Sequence, residues 1–372
     1  MRARTLLSRL KSLLAGGAGT GGNSTRMPDV TRERLARARK IIARKDGSLE
    51  ELRRLLEEKD QEIAKLRRAS LVSSGVEARV GSFKPENFVW IFGTAKTGSS
   101  WLGSLMAEPQ EHYGWREPNV GDLFGTHYYR KVEGKYRDRK NEHYRHYWIL
   151  GEGYRKVWIN SIRSFVLEGA RARFPEMTDQ SYLVAKEPHG SMGAPLLMEA
   201  LPESRMVFLV RDPRDVAASA LAARRKGSWL YERSGRGGED TLGDVPPDEI
   251  VRERSEMYLR DIGRVKAAYE AHEGHKFLVR YEDLRADTPK MMKRIYDALH
   301  IAIDEKELSR TVEKHSFENI PEGRRGEGRS RRKATPEGWR EDLTPEQVKI
   351  VEKITAPLLH EYYGGEATEP GG

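Results

Sequence analysis

Short apolar runs alternate with longer amphipathic stretches over most of the chain beyond about residue 84. Each apolar run is followed by polar or turn residues, and the runs lie at 88–92, 182–185, 206–210 and 277–279. Helical periodicity fills stretches between them, at 214–226, 249–273 and 288–299. Buried strands that alternate with helices are typical of a parallel sheet covered on both faces. We therefore predict an α/β domain with a central parallel sheet over residues 84–365.

The residues before this domain follow two other patterns. Residues 31–70 carry a heptad repeat, with apolar residues at Leu35, Ile42, Leu49, Leu56 and Ile63. The repeat predicts a helical, coiled-coil-like segment that can join two copies of the chain into a homodimer, and a solvated or self-packed helix is the alternative. Residues 1–30 are basic and rich in glycine, which predicts a flexible terminus. Its leucines share one helical face, which favours weak contact with a membrane surface, and a frayed terminus is the alternative.

Composition narrows the class of protein. The 372 residues include 66 Lys and Arg against 57 Asp and Glu, for a formal net charge of +9. Because the chain has no cysteine, it has no disulfide, no cysteine-bound metal and no thiol nucleophile. No apolar run reaches the roughly 18–20 residues of a membrane-spanning helix. The sequence thus predicts a cytoplasmic protein without a transmembrane segment, and no spacing of His and carboxylates suggests a metal site.

The first chemical motif is a glycine-bounded loop after the first apolar run. Residues 93–99 read GTAKTGS, and helical character begins at Ser99. Such a loop directs backbone N–H groups and a helix N-terminus at one point, which suits a phosphate or a sulfate. A nucleoside-triphosphate loop would read GxxxxGK[ST]. Here Ser99 takes the place of that lysine and Lys96 lies inside the loop, so the motif indicates an anion cradle rather than a Mg-ATP site.

The second motif follows the run at 206–210 and reads RDPRD. Arg211 is placed at the carboxyl end of a strand, where open α/β sheets bind ligands. We expect Asp212 to cap the next helix and Asp215 to complete a capping box. Ser219 follows two turns along that helix, so an arginine fork and a hydroxyl can hold a second phosphate.

Together these motifs resemble those of sulfotransferases whose donor is 3′-phosphoadenosine 5′-phosphosulfate (PAPS). Residues 95–101 resemble the loop that holds the 5′-phosphosulfate, and the spacing of Arg211 and Ser219 resembles that of the pair holding the 3′-phosphate. VRYEDL at 279–284 and HSF at 315–317 resemble the segments near the adenine. RKATPEGW at 332–339 resembles the loop that closes over the 3′-phosphate. The resemblance implies donor binding by Lys96, Thr97, Gly98, Ser99, Ser100, Trp101, Arg211, Ser219, Tyr281, Ser316, Phe317, Arg332, Lys333 and Ala334.

The chain departs from the family pattern at two places. Ala334 stands where many cytosolic members have glycine. The lysine–threonine–histidine motif that supplies the base in those members is replaced by KEPHG at 186–190. Its lysine, Lys186, remains a candidate catalytic residue beside Lys96.

A group that accepts the proton of the acceptor must therefore be chosen among three side chains. Glu117 lies in WREP, 21 residues after Lys96, and resembles the glutamate base of heparan-type sulfotransferases. His189 has a suitable intrinsic pKa, and Glu187 lies close to it in sequence. We favour Glu117, and a structural ion pair is the alternative for each.

Residues 111–158 are rich in aromatic side chains interleaved with cations. This mixture favours either acceptor binding or the packing of a helical lid. A separate basic run, 323–333, is expected to form a mobile lid over a polyanion. The resemblance implies sulfuryl transfer from PAPS, without a metal, to a hydroxyl or amine of a carbohydrate, lipid or small molecule. The alternatives are a nucleotide kinase-like protein and a basic nucleic-acid-binding protein, although we expect no specific nucleic acid partner.

Overall fold

The computed structural model describes residues 83–129, 149–225, 227–228, 245–322, 326 and 335–364, together with 51, 54, 55 and 58. The chain divides into two units, Met1–Val80 and Gly81–Gly372. In the first unit, Arg54 Nε donates to Glu58 Oε1 over 3.0 Å, one helical turn apart. The predicted flexible terminus and nearly all of the coiled-coil segment lie outside the described residues, so homodimer formation and membrane contact stay predictions.

The second unit is built on a five-stranded sheet in which every neighbouring pair is parallel. The strand order is β2-β3-β1-β4-β5. This arrangement confirms the predicted α/β fold with a central parallel sheet. The strands are β1 (Phe88–Phe92), β2 (His112–Arg116), β3 (Tyr182–Lys186), β4 (Arg205–Val210) and β5 (Lys276–Arg280).

Four strands coincide with the apolar runs, whereas β2 has no apolar run in the sequence. Every residue of β1 and β4 is buried, because these strands lie inside the sheet with helices on both faces. Strand β2 is an edge strand, and its residues are half-buried or exposed. Its sequence, HYGWR, alternates aromatic residues with His, Gly and Arg and forms no apolar run, so the hydrophobic pattern did not predict it.

Helices cover both faces of the sheet. On one face, Trp90 and Phe208 join a core with residues of α2, α3 and α5, and on the other, Ile91 and Leu209 pack with residues of α1 and α7. The predicted helices at 214–226, 249–273 and 288–299 are confirmed as α4, α5 and α7. The helices are α1 (Ser99–Met106), α2 (Arg155–Arg173), α3 (Ala194–Ala200), α4 (Pro213–Arg224), α5 (Pro247–Ala271), α6 (Tyr281–Ala286), α7 (Thr288–Ala298), α8 (Glu305–Lys314), α9 (Trp339–Asp342) and α10 (Pro345–Tyr363). None of the helices in the described part of the chain is long and apolar enough to cross a membrane.

Candidate active site

The carboxyl ends of the five parallel strands meet at one edge of the sheet, and the candidate residues follow them in a row. Glu117 follows β2, and KEPHG spans the end of β3 and the turn after it. The anion loop follows β1, Arg211 follows β4, and Tyr281 follows β5. Because neighbouring strands lie about 4.8 Å apart, Arg211 and Glu117 emerge roughly 14 Å apart along the edge. We call the ends of β1, β4 and β5 the β4–β5 side, and the ends of β2 and β3 the β2–β3 side.

The anion loop is held in a conformation that only some residues adopt easily. Lys96 has a φ of 78° and Gly98 a φ of 93°, both in the left-handed region. A Cβ atom at Gly98 would lie 2.5 Å from Cδ2 of Tyr281, so the loop needs glycine there. The Thr97 hydroxyl donates to the carbonyl of Thr94 over 2.7 Å, which closes the turn. The N–H groups of Trp101 and Leu102 donate to the carbonyl of Gly98, whereas those of Ser99 and Ser100 lie in the first turn of α1, where a helix leaves its N–H groups to a ligand or solvent.

Arg211 links the loop to Tyr281. Its Nη1 donates to the carbonyl of Lys96 over 3.0 Å, and its guanidinium carbon lies 4.4 Å from the centre of the Tyr281 ring. Its Nη2 lies 3.6 Å from Asp215 Oδ2. Its Nε is buried and makes no hydrogen bond to the described residues. A buried N–H of this kind costs free energy unless a ligand accepts from it, so the arginine fits an oxyanion.

Trp101 joins the predicted adenine-side segments to the loop. Its ring meets that of Tyr281 edge to face at 6.0 Å, and its Nε1 donates to the carbonyl of His315 over 2.9 Å. Ser316 and Phe317 follow His315 and are half-buried. The structure therefore brings together the loop, Arg211, Tyr281 and the segment 315–317, which belong to four of the five motifs; the described part of the fifth lies next to Asp215.

The C-terminal segment after residue 334 is anchored next to Arg211. Asp215 accepts hydrogen bonds from the backbone N–H groups of Glu337 and Trp339, each over 3.0 Å. These bonds show that the predicted capping box is wrong. Asp212 does cap α4, accepting from the N–H of Arg214 over 2.8 Å, but its own N–H donates to Glu282 instead. Asp215 is thus used to hold a distant segment rather than its own helix.

The other residues predicted to bind the donor take no part in these contacts or lie outside the described residues. Ser219 lies half-buried two turns along α4, whereas Ser100 is exposed at the start of α1. Ser100 lines a cleft of about 260 Å³ between α1 and β2, which Lys186 also lines. Arg332, Lys333 and Ala334 lie outside the described residues, as does nearly all of the basic run 323–333.

On the β2–β3 side, Glu117 and Lys186 form an ion pair. The Lys186 side chain is only 6% exposed, whereas that of Glu117 is 40% exposed. The backbone N–H of Glu117 donates to the carbonyl of Lys186 over 3.0 Å. Glu117 also has a φ of 53°, an unusual value for a residue other than glycine. The carboxylate is thus held by a buried cation and still reaches solvent.

Glu187 has the opposite character, because it is completely buried. Its Oε1 accepts from the N–H of Val120 over 2.9 Å, and its Oε2 has no hydrogen-bond partner among the described residues. A Cβ at Gly190 would collide with Oε2, so the carboxyl group fills the space that this glycine leaves. Burial raises the pKa of Glu187 to about 7, against the hydrogen bonds from the N–H groups of Val120 and Gly121.

His189, the third candidate, is exposed. It lies near Asp261 of α5. Burial raises the pKa of Asp261, and the charges of Arg260, Arg254 and His189 lower it.

The described aromatic residues of 111–158 are divided between core and surface. Tyr128, Tyr129 and Trp158 are buried in the core, whereas Tyr154 is exposed. Tyr136, Tyr144, Tyr147 and Trp148 lie outside the described residues.

Sequence reasoning missed the contribution of α5. The hydroxyl of Tyr258 donates to the carbonyl of Arg211 over 2.8 Å, and Arg254 lies one turn earlier. The available signal was an arginine on the apolar face of the predicted helix, between Val251 and Tyr258. Within the described part of the chain, no group of three or more side chains could hold a metal ion; the expected absence of a metal stays a prediction.

Comparison with known proteins identifies the class to which this fold and site belong. The family model for the sulfotransferase domain matches residues 86–363. The chain therefore belongs to the sulfotransferase family, which confirms the resemblance seen in its motifs.

Solved structures similar to the chain include a mouse sulfotransferase complexed with PAP, where PAP is adenosine 3′,5′-bisphosphate. It has 12% identity, covers 76% of this chain and 87% of that one, and has a TM-score of 0.46. Sulfotransferase STF9 from Mycobacterium avium has 15% identity, covers 79% and 81%, and has a TM-score of 0.46. At such values the family assignment rests on the family model alone. A comparison with curated proteins finds no match.

Proposed function

We propose that this sulfotransferase uses PAPS as its donor and transfers the sulfuryl group to a hydroxyl or amine of a carbohydrate, a lipid or another small molecule. The observation that supports this proposal is the position of Arg211. Its guanidinium contacts the loop carbonyl of Lys96, the ring of Tyr281 and the carboxylate of Asp215, and keeps one buried N–H that no described residue accepts. A charged fork next to the anion loop supports a role for Arg211 in holding an adenosine 3′-phosphate.

The proposed binding roles follow the order of the strands. Arg211 and Ser219 would hold the 3′-phosphate on the β4–β5 side, and the closing loop with Arg332, Lys333 and Ala334 would cover it. Tyr281, Trp101, Ser316 and Phe317 would contact the adenosine. Lys96, Thr97, Gly98, Ser99 and Ser100 would hold the 5′-phosphosulfate. The donor supplies the sulfuryl group and leaves as PAP.

Lys96 would stabilise the negative charge that develops on the departing phosphate. Burial, followed by the charge of Arg254, lowers the pKa of Lys96 to about 8. The amine is therefore still mainly protonated at pH 7. Because it is partly removed from water, its charge acts more strongly on an oxyanion than it would at the surface.

Glu117 is the base that we propose. A general base must reach the proton that it removes, and the Glu117 carboxylate is both exposed and held by Lys186. Glu187 does not meet this condition, because its carboxyl group is completely buried and turned towards the amides of Val120 and Gly121. His189 is exposed and remains the rival.

We propose that the acceptor binds on the β2–β3 side. With the 3′-phosphate at Arg211, the reactive end of the donor points along the edge towards Glu117. The acceptor's hydroxyl would then attack the sulfur from this side while Glu117 takes its proton. We place the protein in the cytoplasm as part of the same proposal.

Titration calorimetry with PAP and with Mg-ATP tests the donor assignment. We expect PAP to bind at least about tenfold more tightly than Mg-ATP, since the loop lacks the lysine of a triphosphate site. Tighter binding of Mg-ATP would favour the kinase alternative. If the protein binds DNA or RNA more tightly than PAP, with an affinity that falls steeply with salt, it is a nucleic-acid-binding protein instead.

Incubation with labelled PAPS and a metabolite extract, followed by mass spectrometry, would identify the acceptor.

A further inference from the structure

One face of helix α5 carries three polar residues, Arg254, Tyr258 and Asp261, and lies against the carboxyl edge of the sheet. The hydroxyl of Tyr258 donates to the carbonyl of Arg211 over 2.8 Å, so this face of the helix lies on the end of β4. Arg254 is four residues before Tyr258 and Asp261 is three residues after it, which places all three on the same helical face. Asp261 is buried, and Arg254 is half-buried.

Arg254 lies within electrostatic reach of the anion loop. The pKa of Lys96 is lowered by burial and then by the charge of Arg254. Burial also lowers the pKa of Arg254 itself, and the neighbouring charge of Arg224 adds to this effect, while the charges of Asp261 and Glu253 oppose it. Two cations on different elements, the loop after β1 and helix α5, are therefore held near each other despite their repulsion.

The nearby carboxylates are already paired with other arginines. Glu253 forms an ion pair with Arg224 at 3.2 Å, and Asp261 forms one with Arg260 at 3.0 Å. In the described ranges, no carboxylate forms an ion pair with Arg254, and its hydrogen bond goes to the sulfur of Met257 at 3.2 Å. A thioether is a weak acceptor. A half-buried guanidinium that donates to so weak an acceptor is stabilised when an anion takes the place of that acceptor.

We infer that Arg254 binds an oxyanion of the bound substrates, on the α5 side of Lys96. This inference rests on the proposed function. The oxyanion comes either from the sulfonate of the donor or from a sulfate, phosphate or carboxylate group of the acceptor, and both satisfy a guanidinium in the same way. Arg254 then joins Lys96 and Arg211 as a third cation that binds the substrates, and it lies on a helix outside the donor motifs.

The test compares Arg254→Met with Arg254→Lys and with a control, Arg252→Met. Arg252 lies on the same helix, but it is 48% exposed and pairs with Glu249. Calorimetry would measure the affinities for PAP, for PAPS without acceptor, and for inorganic sulfate added to the PAP-loaded protein. Thermal unfolding would confirm that each variant is folded. We expect the Met variant to bind PAP within about twofold of the unaltered protein, since PAP lacks the sulfonate.

Two results support the inference and name the source of the anion. A loss of PAPS affinity by about ten- to a hundredfold, partly restored in the Lys variant, assigns the anion to the donor sulfonate. An unchanged PAPS affinity with a similar loss for sulfate assigns it to the acceptor. Unchanged affinities for both overturn the inference, and so does an equal loss for PAP, which would make Arg254 a structural residue. An unaltered protein that does not bind PAP would contradict the proposed function, and the inference with it.

Discussion

The two sides of the active edge are built differently. On the β4–β5 side, Arg211 contacts the loop, an aromatic ring and a carboxylate at once, and α5 supports its backbone. On the β2–β3 side, Glu117 and Glu187 follow neighbouring strands, but one is exposed and the other is completely buried. The first side is cross-linked by these contacts, as the nucleotide site that we propose requires. The second offers one accessible carboxylate, as the proposed base requires.

Removing the carboxylate of Glu117 is the strongest way to separate the two sides. We expect Glu117→Gln to lower the turnover of PAPS by about 10²–10⁴-fold, the usual contribution of a general base. The affinity for PAP should stay unchanged, because the variant alters only the β2–β3 side. Turnover with labelled PAPS and calorimetry with PAP give the two values.

Two further variants complete this comparison. Glu168→Gln, an exposed position on α2, is the control and should behave like the unaltered protein. His189→Asn should keep at least about a tenth of the activity if Glu117 is the base, which usually contributes far more than this. The reverse pattern would assign the role to His189. A loss of PAP binding in Glu117→Gln would show that the Glu117–Lys186 pair is structural.

The same contrast explains what could be predicted from the sequence. The strands β1 and β4 are predictable because their residues are apolar and buried on both faces, and the donor motifs lie directly after them. The capping role of Asp212 is also visible, but the partner of Asp215 is not, since it lies more than 120 residues away at Glu337 and Trp339. Such contacts depend on tertiary packing, which local patterns do not encode.

On the β2–β3 side the sequence carries less information. Strand β2 lies at the edge of the sheet and lacks an apolar run. The preference for Glu117 over Glu187 therefore rested on a resemblance alone, and burial now gives a physical reason for it. The burial of Glu187 depends on Gly190, whose missing side chain leaves space for the carboxyl group. Nothing in the spacing of KEPHG shows this.

Replacing Arg211 should produce the next largest effect, on the other side of the edge. We expect Arg211→Ala to weaken PAPS binding by about ten- to a hundredfold, because a hydrogen bond to a charged group contributes roughly 1.5–3 kcal/mol. Adenosine 5′-phosphosulfate, which lacks the 3′-phosphate, should lose less. It should still lose some affinity, since Arg211 also holds the carbonyl of Lys96. Equal losses for both nucleotides would limit Arg211 to supporting the loop. Arg225→Ala, at an exposed position after α4, is the matched control.

The smallest effect that we predict is a pH dependence of donor binding on the β4–β5 side. Burial, followed by the charge of Arg254, lowers the pKa of Lys96 to about 8. A depressed amine is charged below its pKa and neutral above it, so donor affinity should be retained below pH 7.5 and lost as the pH rises through 8. If only the charged form binds, PAPS affinity falls by about tenfold between pH 7.5 and 9.

Neither the donor nor Tyr281 should titrate in that interval. A phosphate has its second pKa near 6, and burial raises the pKa of Tyr281 above its usual value near 10. The decline should therefore be absent in Lys96→Met, which binds weakly at every pH. In Arg254→Met the midpoint should move to higher pH, because one of the two causes of the lowered pKa has been removed. A midpoint that stays at the same pH in Arg254→Met, or a decline that persists in Lys96→Met, would show that another group governs donor binding.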